Sequence, residues 1–565
     1  MIISDDQLKT LLLQSSLLNE SAIAEIADFA KSANITLSEA LVEKNVIPEE
    51  NLGLMVANFL KVPFITLSKT PIPEEVFRII PERVARKKKL IAFTRDESGI
   101  KVAMADPTNV ELIQLLVKKT GQNIYPHLAL ERDITNVFQL YRKDLQNNFD
   151  ELMQKESFGK AAHIALEEAP ITKVVDMLID YAYQNKSSDI HIEPQEKTSL
   201  VRFRIDGILH DVLVLPKNFH DRVISRIKVL SKLRTDEHLS AQDGKMRMKL
   251  EEEDLDIRVS IIPIADGEKT VLRLLSSRSR KLSLVDLGMN ETDLKKVQHA
   301  FTKSFGMILS TGPTGSGKST SIYSILKIIN TREKNITTIE DPVEYRIQGV
   351  NQIQVNPKTN LTFAAGLRSI LRQDPNIIFV GEIRDTETAG IAVNAALTGH
   401  LVLSTLHTND ASTTLPRLID MKVEPFLVAS TVNIIVAQRL VRKICDNCRI
   451  SFNITEEELL KNLPGETIKK HYIPIGEKKE VRIYKGQGCK VCHDTGYSGR
   501  VGVFEVLEVT KPIKKLIVEK ADSDIIGRRA QEEGMTTMLD DGLDKVAKGV
   551  TTIEEVLRVT KVESL

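Results

Sequence analysis

The sequence predicts a multidomain α/β protein whose carboxyl-terminal half is a parallel β-sheet with helices on both faces. Three observations predict it. At 565 residues the chain exceeds a single hydrophobic core and implies roughly three or four domains. Between about 285 and 440, apolar strand candidates (MILST, ITTIE, IIFVG, LVLSTL) alternate with helical stretches such as STSIYSILKIIN and TETAGIAVNAALT, the pattern of a sheet buried on both sides. A glycine-rich octapeptide, GPTGSGKS, joins the first of those strands to the next helix.

In chain order, LKTLLLQSSLL, ESAIAEIADFAKSA and LSEALVEKNVIPEENLGLMVANFL place apolar side chains three and four residues apart, which predicts short helices up to about residue 60. From 61 to about 140, strand-like VPFIT, KLIAFT and IKVAMA and helix-like PEEVFRIIPERVARK and VELIQLLVKK make a small mixed unit that completes a first domain, 1–142. The polar, weakly periodic stretch 143–168 reads as a linker. A second α/β domain spans 169–280, with helix PITKVVDMLIDYAYQ, strands SDIHIEP, LVRFRIDG and ILHDVLVL, helix FHDRVISRIKVLSKL, a hairpin from KMRMKL to LDIRVSIIP, and strand KTVLRLL. Its alternation of apolar and charged residues predicts a sheet with one open face. Residues 281–565 hold the parallel sheet, a cysteine-bearing element over 445–492 and a helical tail.

Composition narrows the function. Seventy-seven basic residues balance 77 acidic ones and no basic stripe is interleaved with aromatics, so the charge pattern argues against nucleic acid. No apolar run approaches the ~18 residues of a membrane span, and MIISDDQLK carries acid where a secretory leader carries base, so a cytoplasmic location is expected. All four cysteines fall in two C-x-x-C pairs, Cys445/Cys448 and Cys489/Cys492. Four thiolates leave no open coordination position, so structural Zn²⁺ is expected over a redox pair or free thiols.

GPTGSGKS fits G-x-x-x-x-G-K-[ST] in its required strand-loop-helix setting. Its glycines let backbone N–H groups turn inward around phosphates, Lys318 is placed to reach the β and γ phosphates, and Ser319 to hold Mg²⁺. NIIFVGEIRD ends an apolar strand in Glu382 and Asp385, where a P-loop sheet presents its acid; polar residues at a strand exit are the plainer reading. IEDPVEY lies between these two segments, so Glu340, Asp341 and Glu344 are expected at the sheet's carboxyl edge, where one of them can accept a water proton. An ordinary acidic turn is the alternative.

These segments resemble the secretion ATPase superfamily of type II secretion and type IV pilus systems. GPTGSGKST, TIEDPVEY, LRQDPNIIFVGEIRD and LTGHLVLSTLHTND stand in the order of that family's Walker A, aspartate box, Walker B and histidine box. Upstream SSDIHIEP, VRFRIDG, LSAQDGKM and DIRVSIIP, and downstream QRLVRKICDNC and CKVCHDTGYSGR, extend the resemblance over nearly the whole chain, most closely to pilus-assembly members. It implies a RecA-like P-loop core preceded by a PAS-like α/β domain and a helical/α+β amino-terminal domain of the MshE type.

The resemblance also implies roles. Gly312, Pro313, Thr314, Gly315, Ser316, Gly317, Lys318, Ser319 and Thr320 would hold ATP with Mg²⁺. Glu344 would be the general base supported by Glu340, and Glu382 would serve Mg²⁺ and the γ-phosphate region. Arg258 and Arg273 would be directed at the nucleotide from the middle domain, while Arg368, Arg372 and Arg500 would make phosphate or interface contacts. Arg368 and Arg372, one helical turn apart, can meet one anion; surface ion pairing is the plainer reading of each arginine. His400 and His407 would sense nucleotide or couple it to a subunit interface, against a structural role. Mg²⁺, Lys318 and the arginines are expected to keep Glu340, Asp341 and Glu344 ionised.

The implied protein is a homohexameric motor powering type IV pilus assembly. It would sit on the inner face of the cell membrane against a polytopic inner-membrane platform protein and cytoplasmic assembly proteins. A type II secretion ATPase and a non-hydrolytic nucleotide-gated scaffold are the alternatives, and the intact acidic boxes argue against the scaffold. In some relatives the amino-terminal module binds cyclic-di-GMP through repeats opening Arg-Leu-Gly. Here the opening is Thr36-Leu37-Ser38, without the planar donor or the close backbone approach, so that ligand stands open against plain helix packing.

Overall fold

The computed structural model describes residues 3–15, 18–33, 36–43, 46–67, 70, 72–138, 145, 149–151, 171–250, 253–276, 283–460 and 480–560. At the amino end, helices Asp5–Gln14, Glu20–Ala33, Leu37–Glu43 and Glu49–Leu60 enclose Leu8, Leu12, Leu41 and Leu52. Thr36 caps the third helix by accepting from Glu39 N at 3.3 Å, and Leu37 is buried in the bundle core, so one residue of the repeat opening serves the helix end and the next serves packing. A small sheet follows, β1 (Leu90–Asp96), β2 (Gly99–Met104) and β3 (Ile124–Leu128), with β1–β2 antiparallel and β2–β3 parallel. Leu128 of β3 belongs to the core of the helical bundle, so the two amino-terminal pieces share a seam.

The middle unit is one antiparallel sheet of β4 (Asp189–Pro194), β5 (Thr198–Ile205), β6 (Ile208–Pro216), β7 (Gln242–Lys249), β8 (Asp254–Ile264) and β9 (Gly267–Leu275), in the order β6-β5-β4-β9-β8-β7. Helices Ile171–Gln184 and Lys217–Leu230 cover one face through Val175, Ile179, Phe219 and Ile224, residues at helical spacing. Leu145 and Phe149, inside the stretch that reads as a linker, are buried in this same core. Apart from 145 and 149–151, the span 143–168 lies outside the described residues. The uncovered face carries the alternate, polar residues of the strands.

The third unit is built on β10 (Gly306–Thr311), β11 (Ile336–Glu340), β12 (Asn351–Gln354), β13 (Ile377–Val380), β14 (Leu401–Leu406), β15 (Val432–Ile444) and β18 (Tyr497–Glu508), ordered β12-β11-β13-β14-β10-β15-β18. The pairings from β12 to β15 are parallel, and β18 returns antiparallel along β15. Every residue of β10, β11, β13 and β14 is buried, as wholly apolar strand candidates require of a two-sided sheet. Between β15 and β18 projects a hairpin of β16 (Arg449–Thr455) and β17 (Glu480–Gly486). The cysteines lie at its base.

Candidate active site

The parallel strands place the end of β10, the end of β11 and the end of β13 on one edge of the sheet. From β10 the chain enters the glycine-rich loop and then helix Lys318–Ile329. Gly312 and Gly317 have φ of +140° and +92°, and a Cβ on Gly312 would stand 2.4 Å from Gln438 O, so these positions need glycine. Gln438, on β15, fastens the loop from beneath: its Nε2 donates to Ser316 O at 2.8 Å and its Oε1 accepts from Ser321 Oγ at 2.7 Å. Pro313, Thr314, Gly315 and Ser319 are exposed, and Thr320 is half-buried.

Lys318 Nζ donates to Gly312 O at 2.7 Å and Pro313 O at 3.1 Å. Burial pulls this ammonium below the ordinary lysine value, partly offset by the charge of Glu382. A phosphate would satisfy the ammonium better than two carbonyls. Among the described residues the buried Ser316 Oγ has no hydrogen-bond partner, and the loop presents Ser319 at the start of the helix; both fit a polar, Mg²⁺-bearing ligand.

Glu340, at the end of β11, is only 3% exposed. The Tyr323 hydroxyl donates to it, as do Thr338 Oγ1 at 2.5 Å and Gln352 Nε2 at 3.1 Å. Burial raises its pKa: the donors around Glu340 are neutral, and Lys318 bonds its own loop instead of this carboxylate. Tyr323 reaches the next carboxylate as well, since its hydroxyl accepts from Glu344 N at 3.4 Å. Glu344 itself is 41% exposed and accepts from Arg258 Nη2 at 3.0 Å. Arg273, directly opposite Arg258 on the neighbouring strand, donates instead to Asp189 Oδ1 at 2.9 Å.

Glu382 is held by Arg384 Nε at 2.7 Å and His407 Nε2 at 3.1 Å. The following residue, Thr408, donates its N–H to Thr311 Oγ1 at 2.9 Å, which ties this segment to the end of β10. Ile383, Arg384, Leu406, His407 and Arg417 line an adjoining cavity of about 320 Å³. Asp385 caps helix Thr386–Leu397 and is thereby occupied.

Several candidates stand elsewhere. His400 precedes β14, on the sheet edge opposite the glycine-rich loop, and its Nδ1 meets Ala395 O at 2.9 Å at the end of a helix. Arg368 pairs with Glu387, while Arg372 bonds Arg368 O at 3.1 Å and Ser369 Oγ at 3.2 Å, so the two do not share an anion. Arg500 is exposed on β18 opposite Arg442; next to it, Gly499 N donates to Asp206 Oδ2 of the middle unit at 2.7 Å. Gln438, Tyr323 and Arg384 were missed in the sequence. Only Gln438 left a signal there, as the residue at which the apolar run IIVA of 434–437 turns polar.

The four cysteine sulfurs lie within 4.8 Å of one another. Three of their separations are 3.9 Å (Cys445–Cys489), 3.8 Å (Cys448–Cys492) and 3.6 Å (Cys489–Cys492). Tetrahedral thiolates about 2.3 Å from zinc stand about 3.8 Å apart, so the set fits that ion.

The family described as Type II/IV secretion system protein matches residues 165–558, and the MshEN domain matches residues 60–147. The MshEN match begins beyond Thr36-Leu37-Ser38. The chain is 36% identical over 564 residues to the type IV pilus assembly ATPase PilB of Myxococcus xanthus, with 98% of each chain covered. It is 43% identical over 397 residues to type II secretion system protein E of Pseudomonas aeruginosa, covering 70% of this chain and 77% of that one. Among solved structures, the Legionella pneumophila ATPase DotB has a TM-score of 0.50 at 20% identity, covering 68% of this chain and 95% of that one, a likeness of fold.

Proposed function

This chain belongs to the Type II/IV secretion system protein family, and on that premise we propose that it is the ATP-hydrolysing motor of a type IV pilus assembly machine. Likeness to a pilus assembly ATPase over 98% of this chain supports this role, because the type II secretion relatives leave more of this chain unmatched, covering 70% and 87% of it in two cases. The observation that carries the catalytic reading is Glu344, whose backbone is held by Tyr323 of the helix that follows the glycine-rich loop and whose carboxylate is met by Arg258 from the middle domain.

In this reading Lys318 leaves the carbonyls of Gly312 and Pro313 for the β and γ phosphates, and the inward N–H groups of the loop take the remaining oxygens. Ser319 would hold Mg²⁺, with Glu382 behind it. When bound, the ion neutralises charge that develops on the transferred phosphoryl group. Glu344 accepts the proton of the attacking water once Arg258 releases it. Glu340, protonated more readily than an ordinary glutamate, fixes the position of the loop rather than taking the proton.

The four cysteines would hold Zn²⁺ as a structural staple: Cys445 N donates to Gly496 O at 2.9 Å and Gln487 N to Cys448 O at 3.0 Å, so the ion would lock the projecting hairpin to the end of β15 and β18. We place the working form in a homohexamer against a membrane platform protein. Among the described residues no helix is long and apolar enough to cross a membrane. Complementation of strains lacking either a pilus assembly ATPase or a type II secretion ATPase tests the assignment; rescue of secretion but not piliation would overturn it.

A further inference from the structure

The open face of the middle sheet carries one row of residues in direct cross-strand register: Arg204 on β5, Asp189 on β4, Arg273 on β9, Arg258 on β8 and Lys245 on β7. Residues directly opposite on adjacent strands share a face, and like charges so placed destabilise the sheet. Yet Arg273, Arg258 and Lys245 are three consecutive cations. Asp189, only 5% exposed, is the row's single acid; it accepts from Arg273 at 2.9 Å and lies 3.5 Å from Arg204. Arg258 takes its counter-charge from the motor domain's Glu344. Among the described residues Lys245 has no carboxylate within ion-pair distance, and it is exposed beside Arg258.

We propose that Lys245 is a third phosphate-binding cation, acting with Arg258 and Arg273 on the terminal phosphate of ATP. The inference rests on the reading of Arg258 and Arg273 as nucleotide-facing. Arg258 fixes where the row points, because its guanidinium already reaches Val343 O at 3.3 Å and Glu344 Oε2, in the loop after β11. Asp189 takes up Arg273 Nε and leaves that guanidinium's outer nitrogens toward the open face. An anion on this face would relieve the repulsion among the three cations, and a triphosphate brings more charge to it than a diphosphate.

The test measures ATP and ADP affinity by displacement of a fluorescent nucleotide from the full chain, for Lys245→Gln, Lys245→Arg, Arg258→Gln and Arg273→Gln. Lys245→Gln is expected to weaken ATP binding about fivefold to twentyfold and ADP binding by less than about twofold, with the preference restored in Lys245→Arg. A purely structural role would move both affinities together, so the ATP-to-ADP ratio decides. A ratio unchanged by Lys245→Gln, or lowered but not restored by Lys245→Arg, overturns the proposal. If Arg258→Gln and Arg273→Gln lower the ratio and Lys245→Gln does not, Lys245 alone is wrongly assigned. If none of the three lowers it, the nucleotide-facing reading of the whole row fails with it.

Discussion

Arg258 Nη2 donates to Glu344 Oε2 at 3.0 Å, joining the middle domain to the motor domain across 86 residues of sequence. With Glu344 41% exposed, such a pair is worth no more than about 1 kcal/mol, so a bound polyphosphate can displace it.

Glu344→Gln is expected to retain nucleotide binding and to lose turnover by about 10²–10⁴-fold, the usual contribution of a positioned base. Phosphate release and fluorescent-nucleotide binding, measured on the same preparation, check it. Full hydrolysis in the variant would sink the base assignment.

Gln438→Leu removes both bonds beneath the glycine-rich loop without touching nucleotide. Ser316 O and Ser321 Oγ then lose buried partners, at a cost of roughly 1–3 kcal/mol, and ATP affinity should fall with thermal stability. Thermal melts with and without nucleotide report it; a variant with unaltered affinity would show that the loop holds its shape alone.

Cys445→Ser should release zinc and lower stability by about 3 kcal/mol or more, because the metal's binding energy is also folding energy. Metal content by atomic spectroscopy, read beside a melting curve, measures this. A wild-type preparation free of zinc yet equally stable would refute the staple.

Glu505, buried on β18 and accepting from Ala411 N at 2.9 Å, has its pKa raised to about 7 by burial, assisted by the nearby charge of Asp410. Its folded pKa lies above the unfolded one, so the folded state binds more protons between them and stability falls as pH rises from about 4.5 to about 7. The loss levels off at roughly 3 kcal/mol above that window. Glu505→Gln, which can still accept from Ala411, should therefore exceed the wild type in stability at pH 8 and match it near pH 4.5. Denaturant titrations at the two pH values test the difference, and equal curves at pH 8 would exclude a raised Glu505.

Much of the site is legible along the chain because its parts are local. The glycine-rich loop, the acids after β11 and β13 and the paired cysteines are each a few residues whose spacing alone implies their chemistry. Partners are another matter. Arg368 and Arg372 share a helical face by spacing, yet Glu387 takes one and its own helix takes the other. His400 and His407 are seven residues apart, but β14 runs between them and carries them to opposite edges of the sheet.

By itself the sequence determined the parallel sheet, the glycine-rich loop between strand and helix, the paired cysteines and the family to which they belong, since these follow from periodicity and fixed local spacing. The tertiary structure alone decided which charges meet. It buried Glu340 under Tyr323 and raised its pKa, left Glu344 exposed to Arg258, and lined Lys245 up with two arginines from separate strands. Charge state and pairing depend on burial and on groups brought together from distant parts of the chain, and no one-dimensional pattern encodes either.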